Sequence, residues 1–486
     1  MRLKTIGGAV LMAALAACTM EPKYRQPQLP VPDQWPIPAT AAPAPAEPAP
    51  AAAEAQSPAV RDIGWRDFFA DPRLQNIIAA ALVNNRDLRV AILNIQAARA
   101  QYHIQRANEL PFVDASGSLT REELPPALTF GTESFTSSIY QVGIGVTSYQ
   151  IDLFGRVRSL THAALQQYLA QEQARRGTQL SLIAAIANAY LTLASDKDLQ
   201  RLAQQTLESQ ERSYELSRRS HDAGTTSGLD LAQAQTTVEH ARADAARYEG
   251  NVAQDIDSLT LLVGAPIDAA WLPDSFDAST MGLQALPGGL PSDVLLRRPD
   301  VLEAEHLLQS ANGNIGAARA AFFPTIALTA NVGSASLDLS HLFKPGSEVW
   351  QFEPQITLPI FHGGEIMGNL KLAKTNQQIA VAQYEKAIQS SFREVADALA
   401  LTATLNRQRA AQEALVSATG RAYELSQQRY KAGRDSFLDV LVSQRSDYTA
   451  QQGLIATRLA EQSNRVNLYE ALGGGWREQT SKSANP

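Results

Sequence analysis

A single cysteine, Cys18, stands in 486 residues, so no disulfide framework can be written. The seven histidines are scattered from His103 to His362 without a paired ligand spacing, which leaves no zinc cluster. There is no block of Lys or Arg, and the formal net charge is -7. Nucleic-acid partners are therefore set aside, because such binding is driven by basic charge neutralising phosphates. Neither a phosphate-binding loop nor a nucleophile elbow occurs, so nothing points to an enzyme or to a bound cofactor. After residue 20 no stretch has about eighteen uninterrupted apolar residues. Any membrane crossing there must be made of strands. What is abundant is apolar material, 45% of the chain, ample for one large domain or two moderate ones.

At the N-terminus, Arg2 and Lys4 precede an apolar run from Ile6 to Leu15. It is too short to span a bilayer and reads as the core of a secretory signal. The run ends at Leu15-Ala16-Ala17-Cys18, which resembles a bacterial lipobox. The resemblance implies a lipoprotein signal peptide over residues 1–17 and lipidation of Cys18 on its thiol and new amino group. Thr19 in place of Asp implies sorting to the outer membrane. Residues 18–63 are expected to form a lipid-anchored lead, Pro/Ala-rich between Pro27 and Pro58, with almost nothing to bury.

Tyr214-Glu215-Leu216-Ser217 recurs 209 residues later as Tyr423-Glu424-Leu425-Ser426. The same offset carries Ala223-Gly224 onto Ala432-Gly433 and Leu229-Asp230 onto Leu438-Asp439. Such self-similarity reads as an internal duplication. It predicts a first repeat over 64–265, a connector over 266–290, a second repeat over 291–475 and a tail over 476–486. Each repeat is expected to hold a helix, a β-hairpin (112–151 and 322–360), a long helix, a turn and a further helix.

The strands show a period of two. Val113, Ala115, Gly117 and Leu119 alternate with polar residues, as do Tyr140, Val142, Ile144 and Val146; Ile326, Leu328, Ala330 and Val332 repeat the pattern, followed by Trp350, Phe352, Ile356 and Leu358. Aromatics cluster near the strand ends (Phe112, Tyr149, Phe322, Phe323, Trp350), where the interfacial girdles of a membrane barrel belong. Asp114 and Glu353 fall on the polar side, a hint of mild cation preference in a water-filled interior. The helices are longer than usual. No proline interrupts Phe154 to about His221, where Leu182, Ile186, Ala189 and Leu193 keep a coiled-coil spacing. His362 to about Tyr430 repeats this, while Leu74–Leu110, Pro291–Ala321 and the segments from Ser227 and Ser436 are about half as long.

Four strands cannot close a barrel, eight from a dimer leave an interior filled by side chains, and twelve leave room for water. The expected fold is an α+β membrane protein: a homotrimer with a 12-stranded β-barrel, four strands per chain, continued by a long antiparallel α-helical barrel.

Several strings then resemble the TolC-like outer-membrane factors, and within them the efflux lipoproteins of the OprM and NodT type. They are Leu295-Leu296-Arg297-Arg298-Pro299-Asp300-Val301, Phe322-Phe323-Pro324, Ile151-Asp152-Leu153-Phe154-Gly155-Arg156, Leu358-Pro359-Ile360-Phe361-His362-Gly363-Gly364 and Leu472-Gly473-Gly474-Gly475-Trp476. In the residues themselves these strings are punctuation: Pro324 ends a helix before a strand and the glycines allow the reverse passage. The resemblance implies the outer-membrane channel of a tripartite efflux system of the proton-driven RND type. Its implied partners are a periplasmic adaptor protein, an inner-membrane pump and outer-membrane lipid. A channel for type I protein secretion is the alternative. A coiled-coil scaffold without a pore leaves the four alternating strands unexplained.

The helical turns Gly224–Asp230 and Gly433–Asp439 both contain Ser-x-x-Asp, close to a capping box. Capping is one role for Asp230 and Asp439. The resemblance implies another: a periplasmic aperture in which Tyr430 bonds Asp230 to hold the mouth shut and Asp439 forms an acidic ring at the symmetry axis. Val442 stands where some relatives carry a second ring acid, which implies a partly apolar closure. Arg434 and Asp435 are expected to supply pairs between turns.

Overall fold

The computed structural model describes residues 19–35, 63–125, 134–276 and 292–480. Cys18 and its expected lipid lie outside the described residues, as do residues 36–62 of the lead and most of the connector. Two compact units are built from interleaved segments. Counting the described residues only, one draws on 19–28, 94–125, 134–172 and 303–385; the other draws on 29–35, 63–93, 173–276, 292–302 and 386–480.

The first unit holds one antiparallel sheet in the order β1-β2-β3-β4. Its strands are β1 (Val113–Leu124), β2 (Phe135–Ile151), β3 (Thr325–Ser336) and β4 (Glu348–Thr357). Register explains why the alternation matters, since residues directly opposite in an antiparallel ladder share a face. Ala115 faces Ile144, Ile144 faces Val332 and Val332 faces Trp350. The next apolar row runs Val113, Val146, Ala330, Phe352. On the opposite face Asp114, Gly145, Asn331 and Gln351 form a polar row, in which Asn331 Nδ2 donates to Gln351 Oε1 at 3.1 Å and Gln351 Nε2 to Glu353 Oε2 at 2.8 Å.

β2 runs past the Tyr140–Val146 alternation at both ends: residues 135–139 continue the pairing with β1, and beyond Val146 the register with β3 shifts before Tyr149. Ser148 sits there at φ 57, an uncommon left-handed conformation for a residue with a side chain. The extra residue of this bulge breaks the period of two and then resets it. Tyr149 and Ile151 consequently pair with Leu328 and Ile326, on the same face as Val146. Phe323 stacks on Phe154 at 4.7 Å, and Phe112 and Trp350 are exposed.

Residues of the lead are docked rather than free. Glu21 Oε1 meets His162 Nδ1 at 2.9 Å, the Tyr24 hydroxyl donates to Glu305 at 2.8 Å, Gln26 Nε2 donates to the Tyr384 hydroxyl at 3.0 Å, and Arg319 Nη1 donates to the Met20 carbonyl at 3.1 Å. Composition gave no sign of this, because each partner lies far along the chain.

Helices α1 (Trp65–Phe68), α2 (Pro72–Asn84), α3 (Arg86–Ala107), α4 (Arg156–Asp222), α5 (Gly228–Val263), α6 (Pro299–Ala320), α7 (Glu365–Lys431) and α8 (Phe437–Ala471) complete the described regular structure, beside short 3-10 turns. α4 and α7 are 67 residues each, which is about 100 Å of unbroken helix at 1.5 Å per residue. One stretch of α4 has the length and apolarity of a membrane span, but 61% of it is buried inside the fold.

The helix expected over Leu74–Leu110 is in fact two. Asn85 takes an extended ψ of 133, its Oδ1 accepts from the Leu88 amide at 2.8 Å, and its Nδ2 donates to the Leu262 carbonyl at 2.8 Å. A side chain that satisfies a helix start and a neighbouring carbonyl at once makes the break stable. The segment expected as a helix from Pro291 is likewise a 3-10 turn, Ser292–Arg297, before α6 begins at Pro299, a position that suits proline.

The second unit contains the large core. Trp65, Phe68, Ile77, Ile183, Ile186, Tyr190, Leu193, Leu259 and Tyr469 are buried together, so the spacing Leu182, Ile186, Leu193 does mark the packed face of α4. Phe68 and Tyr469 stack at 3.8 Å. The Tyr190 hydroxyl donates to Asp71 Oδ2 at 2.7 Å, and Asp71 caps α2 through the Arg73 amide. Arg298, 8% exposed, gives the Arg-Arg-Pro-Asp string a role beyond punctuation. Its guanidinium donates to Asp300 at 2.9–3.0 Å, to Glu394 at 2.8 Å and to the Ala471 carbonyl at 2.7 Å, joining the start of α6, the middle of α7 and the end of α8. The described part of the tail is packed too: Trp65 and Arg66 amides donate to the Arg477 and Glu478 carbonyls.

Candidate functional site

The two turns that join α4 to α5 and α7 to α8 both lie in the second unit, and they are built alike. Gly224 and Gly433 adopt φ +73 and +69, the left-handed value that ends a helix at low cost only for glycine. After each glycine the chain folds back: the Thr225 amide donates to the Ser220 carbonyl and the Arg434 amide to the Arg429 carbonyl, both at 2.9 Å. The next helix then starts on a serine. Ser227 Oγ accepts from the Asp230 amide at 3.1 Å, and its hydroxyl donates to Asp230 Oδ2 at 2.8 Å. At the second turn the capping box is complete, with the Ser436 amide donating to Asp439 Oδ2 at 3.2 Å and the Ser436 hydroxyl donating to the same oxygen at 2.7 Å. Both carboxylates thus occupy the positive end of a helix.

Four helices meet beside the turns. Ala234 of α5 and Phe437 and Val440 of α8 are buried against Tyr214, Tyr423 and Tyr430 from α4 and α7. Tyr430 lies 5.4 Å from Phe437, ring to ring. Within one chain, then, Tyr430 is engaged by an aromatic neighbour and Asp230 by its own cap serine. Polar ties continue along the helices: Thr237 Oγ1 donates to Gln210 Oε1, the Tyr448 hydroxyl to Asp244 Oδ2 and Gln412 Nε2 to the Ala450 carbonyl, each at 3.0 Å.

Within one chain Asp435 is paired inside its own turn. Arg429 grips it with two hydrogen bonds, Nε to Oδ2 at 2.6 Å and Nη2 to Oδ1 at 2.8 Å. The hydrogen bond and charge of that guanidinium hold the Asp435 carboxyl below the usual range and raise Arg429 in return. Arg434 is exposed, as are the apolar tips Leu229, Leu438 and Val442. Sequence reasoning missed Arg429 and Phe437. An arginine six residues before an aspartate, with glycine between, is the signal for the first; an apolar Phe437, Val440 pair directly after the cap serine is the signal for the second.

Deeper in the same unit, burial and the nearby Asp196 charge push Asp255 up to about 6, and its Oδ2 is buried without a hydrogen-bond partner. Among the described residues no group of three His, Cys, Asp or Glu side chains is placed to hold a metal ion.

Comparison with known proteins gives these turns and the sheet a context. The family model described as outer membrane efflux protein matches residues 77–265 and 290–474. The chain is 50% identical over 476 residues, 98% of its length and 96% of the relative's, to the probable efflux pump outer membrane protein TtgC of Pseudomonas putida. Among solved structures it is similar to a membrane protein from Pseudomonas aeruginosa, with 41% identity, a TM-score of 0.87 and coverage of 96% of this chain and 99% of that one. It is also similar to the open state of the Neisseria gonorrhoeae MtrE outer membrane channel, with 39% identity, a TM-score of 0.84 and coverage of 96% and 100%. With both halves matched by the family model and close to full-length similarity to these relatives, the chain belongs to the outer membrane efflux protein family.

Proposed function

We propose that three copies of this chain close a twelve-stranded barrel in the bacterial outer membrane and continue it as a tunnel of antiparallel helices. The chain is an outer-membrane efflux channel protein, not an enzyme. It offers a passive exit duct for small molecules delivered from the periplasm or from an inner-membrane pump through a periplasmic adaptor. The observation that carries the assembly is the sheet: one face is apolar, and β1 and β4 each pair on one side only. Unpaired strand edges are not tolerated in hydrocarbon, and joining β1 of one copy to β4 of the next removes all of them.

The family resemblance and the recurrence of strand pair, long helix and capped turn in both halves support an internal duplication, with the halves as bounded above. Lipidation of Cys18 anchors the lead in the same membrane. The similarity to a probable efflux pump protein favours small-molecule efflux over protein secretion.

The turns form the mouth of the duct. Asp439 from three chains makes a ring of carboxylates, with Leu438 and Val442 supplying an apolar constriction, and Tyr430 and Asp230 hold neighbouring hairpins together. Chemical cross-linking in detergent and planar-bilayer conductance test the reading together. Trimers, with conductance raised in Asp230→Ala, are the expected result. Cross-linking that stops at dimers, or protein that never inserts, overturns the barrel; unchanged conductance in both Tyr430→Phe and Asp230→Ala overturns the lock alone.

A further inference from the structure

We propose that a groove between the lead, α6 and α7 binds the phosphate of an anionic phospholipid in the periplasm-facing leaflet. Its volume is about 380 Å3. Lys23 and Arg25 border it from the lead, Arg319 from α6 and Lys374 from α7, and none of its lining residues is an aspartate or glutamate. In a chain of net charge -7, four cations concentrate positive potential at one place, and the nearest acids are engaged elsewhere, Glu305 by the Tyr24 hydroxyl and Glu21 by His162. None of the four forms an ion pair with a described carboxylate. Arg319 is fixed by its bond to the Met20 carbonyl, and Tyr24 is tied down by Glu305. The cations of the lead are therefore held against the helices rather than trailing in solvent. Leu308 and Ile315, 1% and 4% exposed, give the groove an apolar lining beside its charged border.

Position selects a lipid over a free anion. Arg319 lies one residue from the end of α6, the exposed Phe322 and Phe323 follow, and β3 begins at Thr325. A cation below an aromatic pair at the foot of a membrane strand stands at headgroup depth. The lead enters the groove only a few residues after Cys18, the expected site of acylation. This inference rests on the barrel reading, since strands elsewhere than in a bilayer place no headgroup near Arg319.

The test is native mass spectrometry of the full-length protein released from detergent, titrated separately with dioleoylphosphatidylglycerol and dioleoylphosphatidylcholine. Retention of phosphatidylglycerol at about ten-fold lower concentration is expected, and about five-fold weakening for each cation neutralised in Lys23→Gln, Arg25→Gln and Lys374→Gln. Lys431→Gln, on the last turn of α7, is the control and leaves binding unchanged. Equal retention of the two lipids, or an unchanged preference in the triple variant, overturns the proposal. Displacement of phosphatidylglycerol by an equal concentration of inorganic phosphate overturns the choice of a lipid. Bilayer conductance of the same preparation separates the two readings: protein that conducts without lipid preference refutes the groove, and protein that does not insert refutes the barrel.

Discussion

Phe437 is the residue through which the second turn holds its neighbours, and replacing it with alanine is the most informative perturbation. Its side chain is 8% exposed, packed with Ala234, Val440 and the Tyr430 ring. Truncating a buried phenylalanine costs about 3 to 5 kcal/mol in a large core, where transfer and cavity terms add. This cluster is small and borders solvent, so about 2 to 3 kcal/mol is the reasonable figure. The loss is local, because the main core around Phe68 and Tyr469 lies elsewhere in the unit. Amides of α8 just after Ser436 then exchange about 30- to 150-fold faster in Phe437→Ala, by the relation of one decade per 1.36 kcal/mol. The measurement is hydrogen exchange by mass spectrometry on detergent-solubilised protein, beside single-channel conductance. Tyr430→Phe keeps the ring against Phe437 and deletes only the hydroxyl, so exchange at the turn should accelerate far less than in Phe437→Ala. Exchange accelerated less than about three-fold in Phe437→Ala would refute the reasoning that this ring anchors the turn.

Three further outcomes follow from other contacts. The Asp435 carboxyl is depressed by Arg429, so its contribution to turn order is full above the usual carboxylate range and is lost as pH falls through the depressed value. Protection at residues 433–437, taken against the intrinsic exchange rate at each pH, should fall on acidification in the wild type, and Asp435→Asn should show the lowered protection at every pH. Asp255 has the opposite sign: its folded value is raised to about 6, so the stability it confers is full below the unfolded value and is lost as pH rises through about 6. Asp255→Asn should therefore stabilise the protein at pH 7.5 by about 1 kcal/mol, a figure already reduced for solvent screening on its exposed side, and change little at pH 4; thermal unfolding at the two pH values checks this. Arg298→Met strips the Ala471 carbonyl of a donor and two acids of their counter-charge. It should cost about 3 kcal/mol in denaturant unfolding, with Arg298→Lys recovering only part because lysine lacks the planar fork.

Local periodicity and short spacings carried far. Alternation along Val113–Leu119 and Ile326–Val332 named the apolar face of the sheet, and Ser-x-x-Asp at Ser227 and Ser436 named both helix starts, because a pleat and a cap depend on residues only two or three apart. The resemblance strings, such as Leu295–Val301 and Leu472–Trp476, already pointed to the family. The candidate mouth was legible in its glycines, its cap serines and its acids. Its partners were not: Asp435 is bound by Arg429 and Tyr430 by Phe437, and such choices follow from how the chain folds back after Gly433.

The sequence by itself determined which segments are strands and which are long helices, how the turns are capped, and to which family the chain belongs, since each rests on order and spacing along one chain. The tertiary structure alone decided the bulge at Ser148, the break at Asn85, the grip of Arg298 on three helices and the docking of Glu21, Tyr24 and Gln26. Those are set by groups tens to hundreds of residues apart, whose energies exist only after the chain has brought them together.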